Sequence, residues 1–214
     1  MRVAVIFSIV SMLGVAGYAQ APREVTGNNV TIAQATFNGR SALRVQANPT
    51  AANATSYAVV KDSKFRDGTI EVDLAGQPAA GAAPDARGFV GIAFRLHTDG
   101  RYEYIYLRPT NGRADDQVRR NHSTQYSSYP DFDFARSRRE APEKYESYVD
   151  LQPGVWTKYR IDVTGRSARL YVNGAEQPCL IVNDLKLEPS EGAVALWVGP
   201  GTDGYFTNLR IAAK

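Results

Sequence analysis

Residues 88–107 read GFVGIAFRLHTDGRYEYIYL. Gly88 to Leu96 is a long apolar strand, and Thr98-Asp99-Gly100-Arg101 is a turn. Tyr102 to Leu107 then returns as a second strand, with Tyr102, Tyr104 and Tyr106 on one face and Glu103, Ile105 and Leu107 on the other. The pattern repeats outward from this hairpin. Upstream, Val30-Thr31-Ile32 and Ala42-Leu43-Arg44-Val45 flank Phe37-Asn38-Gly39-Arg40, whose Asn-Gly pair is a strong hairpin signal. Tyr57 to Val60 and Gly68 to Leu74 read as strands around the turn Arg66-Asp67-Gly68. Residues 47–56 form a polar loop and residues 75–87 an Ala/Gly/Pro-rich one. Downstream, Trp156 to Val163 alternates cleanly, Thr164-Gly165 turns, Ala168 to Val172 returns, and Asn173-Gly174 turns again. Cys179 to Val182, Gly192 to Val198 and Tyr205 to Ile211 complete about ten strands with regularly spaced turns. The expected fold is all-β, an antiparallel two-sheet β-sandwich of jelly-roll type with one long polar loop. No repeat of fixed period appears, which excludes propellers and solenoids.

The long loop is Arg108 to Tyr126, RPTNGRADDQVRRNHSTQY, too polar to bury a core face and too long for an ordinary hairpin connection. Loops of this kind in compact β domains commonly carry function.

At the start of the chain, Met1-Arg2 is followed by an apolar run from Val3 to Val15 and the small-x-small site Ala19-Gln20-Ala21. This predicts a signal peptide over 1–21, a domain over 22–214, export to the periplasm or beyond, and no membrane span in the mature chain. Without Arg2 the formal charge falls from +3 to +2, a balance that does not point to nucleic acid. The single cysteine, Cys179, leaves no internal disulfide framework and reads as a buried thiol beside an apolar run.

The order of features resembles the concanavalin A-like lectin/glucanase superfamily of jelly rolls. The resemblance rests on Phe65 to Val72; on Gly91 to Arg95 with Tyr102 to Tyr104; on Trp156 to Gly165 running into Leu170 to Gly174; and on Gly192 to Leu196 with Phe206 to Ile211. It is similar to laminin-G-like domains and to bacterial 3-keto-disaccharide hydrolase-type domains. One such fold hosts lectins, hydrolases, lyases and adhesion domains. Laminarinase-like members carry Glu-x-Asp-x-Glu on one strand. Here Glu71-Val72-Asp73 is followed by Leu74-Ala75-Gly76 with no second glutamate, so the pair reads as a polar face with Ile70, Val72 and Leu74 turned to the core.

In sandwiches of this superfamily the ligand generally lies on the concave sheet. Arg95, Tyr102, Tyr104 and Tyr106 are the strand candidates for such a groove, since aromatic rings suit the apolar faces of sugars. The tyrosines also fit a secondary core beneath residues 108–148. Arg108, Asn111, Arg113, Asp115, Arg120, Asn121 and Tyr126 are the loop candidates for binding, and His122 and Asp116 for proton transfer. Internal Asp–Arg pairing would account for the same cluster as loop glue. The basic run 136–139 reads as a solvated surface or as the rim of an acidic-ligand site. No cofactor is implied. A structural Ca²⁺ is an option offered by Asp115, Asp116, Asn121, Asp131 and Asp133. The expected function is binding of a carbohydrate, with an acidic one as an option, coupled to cleavage of its glycosidic bond by a hydrolase or lyase. A non-catalytic binding module and a structural envelope protein are the alternatives.

Overall fold

The computed structural model describes residues 24–48 and 55–214. The expected signal peptide, and residues 49–54 of the expected polar loop, lie outside the described residues. In chain order the strands begin with β1 (Val25–Asn28), β2 (Val30–Phe37), β3 (Arg40–Ala47), β4 (Tyr57–Val60), β5 (Gly68–Pro78), β6 (Val90–Leu96) and β7 (Tyr102–Leu107). A 3₁₀ turn (Pro109–Asn111), helix α1 (Gln117–Asn121), β8 (Thr124–Tyr129), helix α2 (Phe134–Glu140) and β9 (Glu146–Ser147) follow. The chain closes with β10 (Thr157–Thr164), β11 (Ser167–Val172), β12 (Leu180–Val182), β13 (Ala193–Val198) and β14 (Thr202–Ala213).

These strands build two open antiparallel sheets of seven strands each. The first runs β1-β4-β13-β6-β7-β8-β9 and the second β12-β11-β10-β5-β14-β3-β2. Both Asn-Gly turns form as their residues dictate. Asn38 and Gly39 close the β2–β3 hairpin with φ of 45° and 76°, and Asn173 and Gly174 adopt 55° and 76° after β11. Positive φ at both central residues matches the turn twist to that of the strands.

The main core lies between the sheets. Ile70, Val72 and Leu74 of β5 and Tyr159, Ile161 and Val163 of β10 face Ile92 and Phe94 of β6 and Ile105 and Leu107 of β7. Alternation is clean in β10, where Lys158 is exposed and Arg160 and Asp162 half-buried between the core positions. In β7 all six residues are buried. Ile105 and Leu107 join the main core, while Tyr102, Tyr104 and Tyr106 form a second cluster with Ala93, Ala195 and Trp197 on the outer face of the first sheet. Trp197 sits 5.0 Å from the Tyr104 ring and 4.8 Å from that of Tyr106, and Tyr129 stacks on Tyr102 at 5.2 Å. The tyrosines are therefore a secondary core and not an open platform.

The single long loop is also corrected. Residues 124–129 pair with β7 as β8, and only 108–123 connect the two strands. Thr, Gln and Ser hide this strand from a hydrophobic pattern. They are buried because α2 covers the outer side of β8, where Gln125 Nε2 donates to Ser137 Oγ at 3.3 Å. Among the described residues no helix is long and apolar enough to cross a membrane.

Candidate functional site

Where β7 runs into the 3₁₀ turn, the outer face of the first sheet opens into a cleft of about 590 Å³. Arg87 and Phe89 enter it from the approach to β6, and Arg108 and Asn111 from the end of β7. Asp116, Val118, Arg119 and His122 come from α1 and its flanks, and Phe134 and Arg138 from α2. The cleft continues the tyrosine cluster: Phe89 lies 5.4 Å from the Tyr106 ring, and the Arg108 guanidinium sits over both rings.

A buried ionic network underlies it. Arg108 Nη1 donates to Glu146 Oε1 at 2.7 Å, and Nη2 to Tyr106 Oη at 2.9 Å and Gln125 Oε1 at 2.7 Å. Arg138 donates to both Glu146 oxygens, at 2.9 and 2.6 Å. Burial alone would push the Glu146 carboxyl up, but hydrogen bonds from Arg138 and Arg108 outweigh it and hold the group below the usual carboxylate range. Arg138 Nη2 also lies 3.1 Å from His122 Nδ1. Since an arginine only donates, Nδ1 is the acceptor and the proton of the neutral ring sits on Nε2, 3.6 Å from Glu146 Oε2. Burial pushes the His122 pKa down, and the Arg138 and Arg108 charges add to that against the pull of Glu146.

The rim is held by α1. Asp116 caps the helix, its Oδ1 accepting from Arg119 N at 2.7 Å. Arg119 Nε donates to Asn111 Oδ1 at 3.0 Å, and Asn111 Nδ2 donates to the His122 carbonyl at 3.0 Å. Val118 and Phe134 stand exposed on the two helices as an apolar lip.

Of the residues expected to form the site, Arg108, Asn111, Asp116 and His122 thus line one cleft, and Tyr106 supports it from beneath. The others are placed elsewhere. Tyr102 and Tyr104 are buried in the secondary core. Arg95, at a bulge with φ of 52°, turns to the sandwich end and donates to the Arg66 and Gly165 carbonyls and to Asp67. Tyr126 faces the main core, where its hydroxyl donates to Glu103 Oε2 at 2.6 Å. Arg113 pairs with Asp150, Arg120 lies over the Tyr148 ring, Asn121 accepts from Gln117, and Asp115 stands exposed. Asp116 and Asp133 both cap helices, and among the described residues no group of three or more His, Cys, Asp or Glu is placed to hold a metal ion.

Sequence reasoning missed Glu146, Arg87 and the apolar residues Phe89, Val118 and Phe134, and noted Arg119 only within the polar stretch. It reached Arg138 only through the basic run. Glu146 gave no local signal, since only the pairing of Gln125 with Glu146 brings it under Arg108.

The Glu71–Asp73 pair lies on the other side of the molecule, on the outer face of the second sheet. Asp73 accepts from Arg40 and Asn208 there, and position 75, the place of the missing glutamate, is a buried alanine packed with Tyr205.

No family model matches the chain, and no curated protein matches it. Solved structures do. The carbohydrate-binding module CBM66 from Bacillus subtilis superposes with a TM-score of 0.59 at 13% identity, over 86% of this chain and 92% of that one. The fold is that of a concanavalin A-like jelly roll. A Bacillus subtilis protein of unknown function with a galectin-like fold superposes on the jelly roll at 0.52 and 11% identity, over 87% of this chain and 86% of that one. A sialidase also matches at 0.52 and 10% identity, over 87% of this chain and 17% of its own length.

Proposed function

We propose that the arginine-lined cleft is a saccharide-binding site and that the jelly roll is an exported carbohydrate-binding protein. The observation that carries this is the cleft's composition: an apolar wall of Phe89, Val118 and Phe134 beside guanidinium and amide donors fixed by a buried network. A sugar offers C–H faces to the former and hydroxyls to the latter. The likeness to a carbohydrate-binding module over most of the chain supports the reading at the level of fold. Four arginines against Glu146 and Asp116 favour an acidic ligand. The leader pattern of residues 1–21 supports export.

Binding without cleavage fits the geometry better than the expected hydrolase or lyase. His122 has Nδ1 occupied by Arg138 and Nε2 turned toward Glu146, and Asp116 caps a helix. Glu146 is held ionised by two arginines, which disqualifies it as a general acid. A purely structural role fits less well, because Arg87 and Arg119 have no carboxylate partner among the described residues.

A panel of neutral and acidic polysaccharides, read by calorimetry and by release of new chain ends, tests this. The expected result is binding that Phe134→Ala and Asn111→Ala weaken, with no release of ends. Absence of binding across the panel overturns the proposal. Release of ends that His122→Ala or Asp116→Asn abolishes restores the enzyme reading.

A further inference from the structure

We infer that Arg87 and Arg119 form an anion clamp at the mouth of the cleft, which takes the carboxylate or sulfate group of an acidic sugar. The inference rests on the saccharide reading above and names the ligand class.

The four arginines of the cleft fall into two pairs. Arg108 and Arg138 are neutralised by Glu146, at 2.7 and 2.6 Å. Arg87 and Arg119 form no ion pair among the described residues, and both are half-buried. Thr110 links the Arg87 backbone to the Arg119 guanidinium. Its amide and hydroxyl donate to the Arg87 carbonyl at 3.5 and 3.4 Å, while its own carbonyl and hydroxyl accept from Arg119 Nη2 at 3.2 Å each. Arg119 is fixed further by Asn111 Oδ1 at 3.0 Å, whereas Arg87 makes only long contacts to the Pro84 and Ala86 carbonyls at 3.4 Å.

Both side chains line the same cleft, and neither has a carboxylate within ion-pair distance among the described residues. Burial, then the Arg87 charge, pushes the Arg119 pKa down, and Asp116 offsets this only in part because its carboxylate faces the helix amides. Such a pair gains from an anion that enters between the two groups. Arg119 has Nε and Nη2 taken by Asn111 and Thr110, so it offers an anion the charge-assisted donor Nη1, and a group fixed in this way loses less freedom on binding than a mobile one. The lip formed by Val118 and Phe134 lines the same cleft and is placed to take the C–H face of the ring that bears the anion. A free inorganic anion would leave that lip uncovered.

The test uses the full jelly roll with polygalacturonate, its methyl ester, dextran sulfate and unmodified dextran, read by calorimetry. Polygalacturonate and dextran sulfate separate the carboxylate from the sulfate source. Binding of at least one acidic polymer is expected, with its neutral counterpart weaker by about a hundredfold or more. Arg87→Gln and Arg119→Gln each weaken acidic binding by about tenfold, and the double variant loses most of its salt dependence. Arg113→Gln, which disrupts the exposed contacts with Asp150 and Gln152 outside the cleft, leaves binding unchanged. Arg87 carries no tertiary ion pair, so its variant folds even where an Arg119 variant does not. Equal affinity for acid and ester, or wild-type affinity in the Arg87→Gln variant, overturns the clamp and leaves the saccharide reading standing. Binding to none of the four polymers overturns both.

Discussion

Arg108 and Glu146 are 38 residues apart in the chain and meet at 2.7 Å, with 5% and 2% of their side chains exposed. This pair joins the end of β7 to the short edge strand β9, and Arg138 adds α2 to the same carboxylate. It anchors α2, a helix too short to be stable alone, over the first sheet.

Glu146→Gln removes the charge and leaves Arg108 buried without a counter-ion. The expected loss is about 3 kcal/mol, the lower end for breaking a buried pair, because Arg138 stays partly solvated. Urea denaturation checks it, and a loss below 1 kcal/mol would refute the keystone role. The pH dependence follows from the same group. Its folded pKa lies below the unfolded value, so its stabilising contribution is complete above the unfolded carboxylate range and is lost as pH falls through the folded pKa. The variant should therefore lose part of the wild type's acid destabilisation.

His122 should titrate below the ordinary histidine value of 6.5. Its folded pKa is depressed, so the unfolded chain takes up the proton first on acidification and the folded state loses stability as pH falls below that value. Proton NMR of the two ring systems, with His97→Gln to assign them, measures the shift. A His122 pKa above 6.5 would mean that Glu146 outweighs the two arginines and burial.

Trp197→Ala opens a hole in the secondary core beside Tyr104 and Tyr106. As a packing residue it should cost about 3–5 kcal/mol. Were the tyrosine face instead an open sugar platform, ligand affinity would fall with little change in stability. Thermal melts and calorimetry on the same variant separate the two outcomes.

Cys179 has its thiol pKa pushed up to about 11 by burial, and Sγ lies 3.5 Å from the Leu170 carbonyl. At pH 7.5 an aromatic disulfide reagent should react slowly with the native chain and fully after unfolding in urea. Immediate stoichiometric reaction of the folded protein would contradict this environment.

Much of the fold was legible in the sequence for a plain reason. Alternation in 156–163, Asn-Gly at 38–39 and 173–174, and the hairpin at 88–107 are local signals, and each forms as written. The strand β8 was not legible, because Thr124, Gln125, Ser127 and Ser128 are polar residues buried by neighbours distant in sequence. Four candidate residues, Arg108, Asn111, Asp116 and His122, reach the cleft from the stretch whose polarity singled it out.

The sequence by itself determined most of the strands, their turns and the location of the polar stretch, since these rest on period-two patterning and on backbone preferences of single residues. Only the tertiary structure decided which charges are neutralised. Whether an arginine meets a carboxylate depends on strand pairing across tens of residues. That pairing gives Glu146 to Arg108 and Arg138, and leaves Arg87 and Arg119 facing the cleft with their charge unspent.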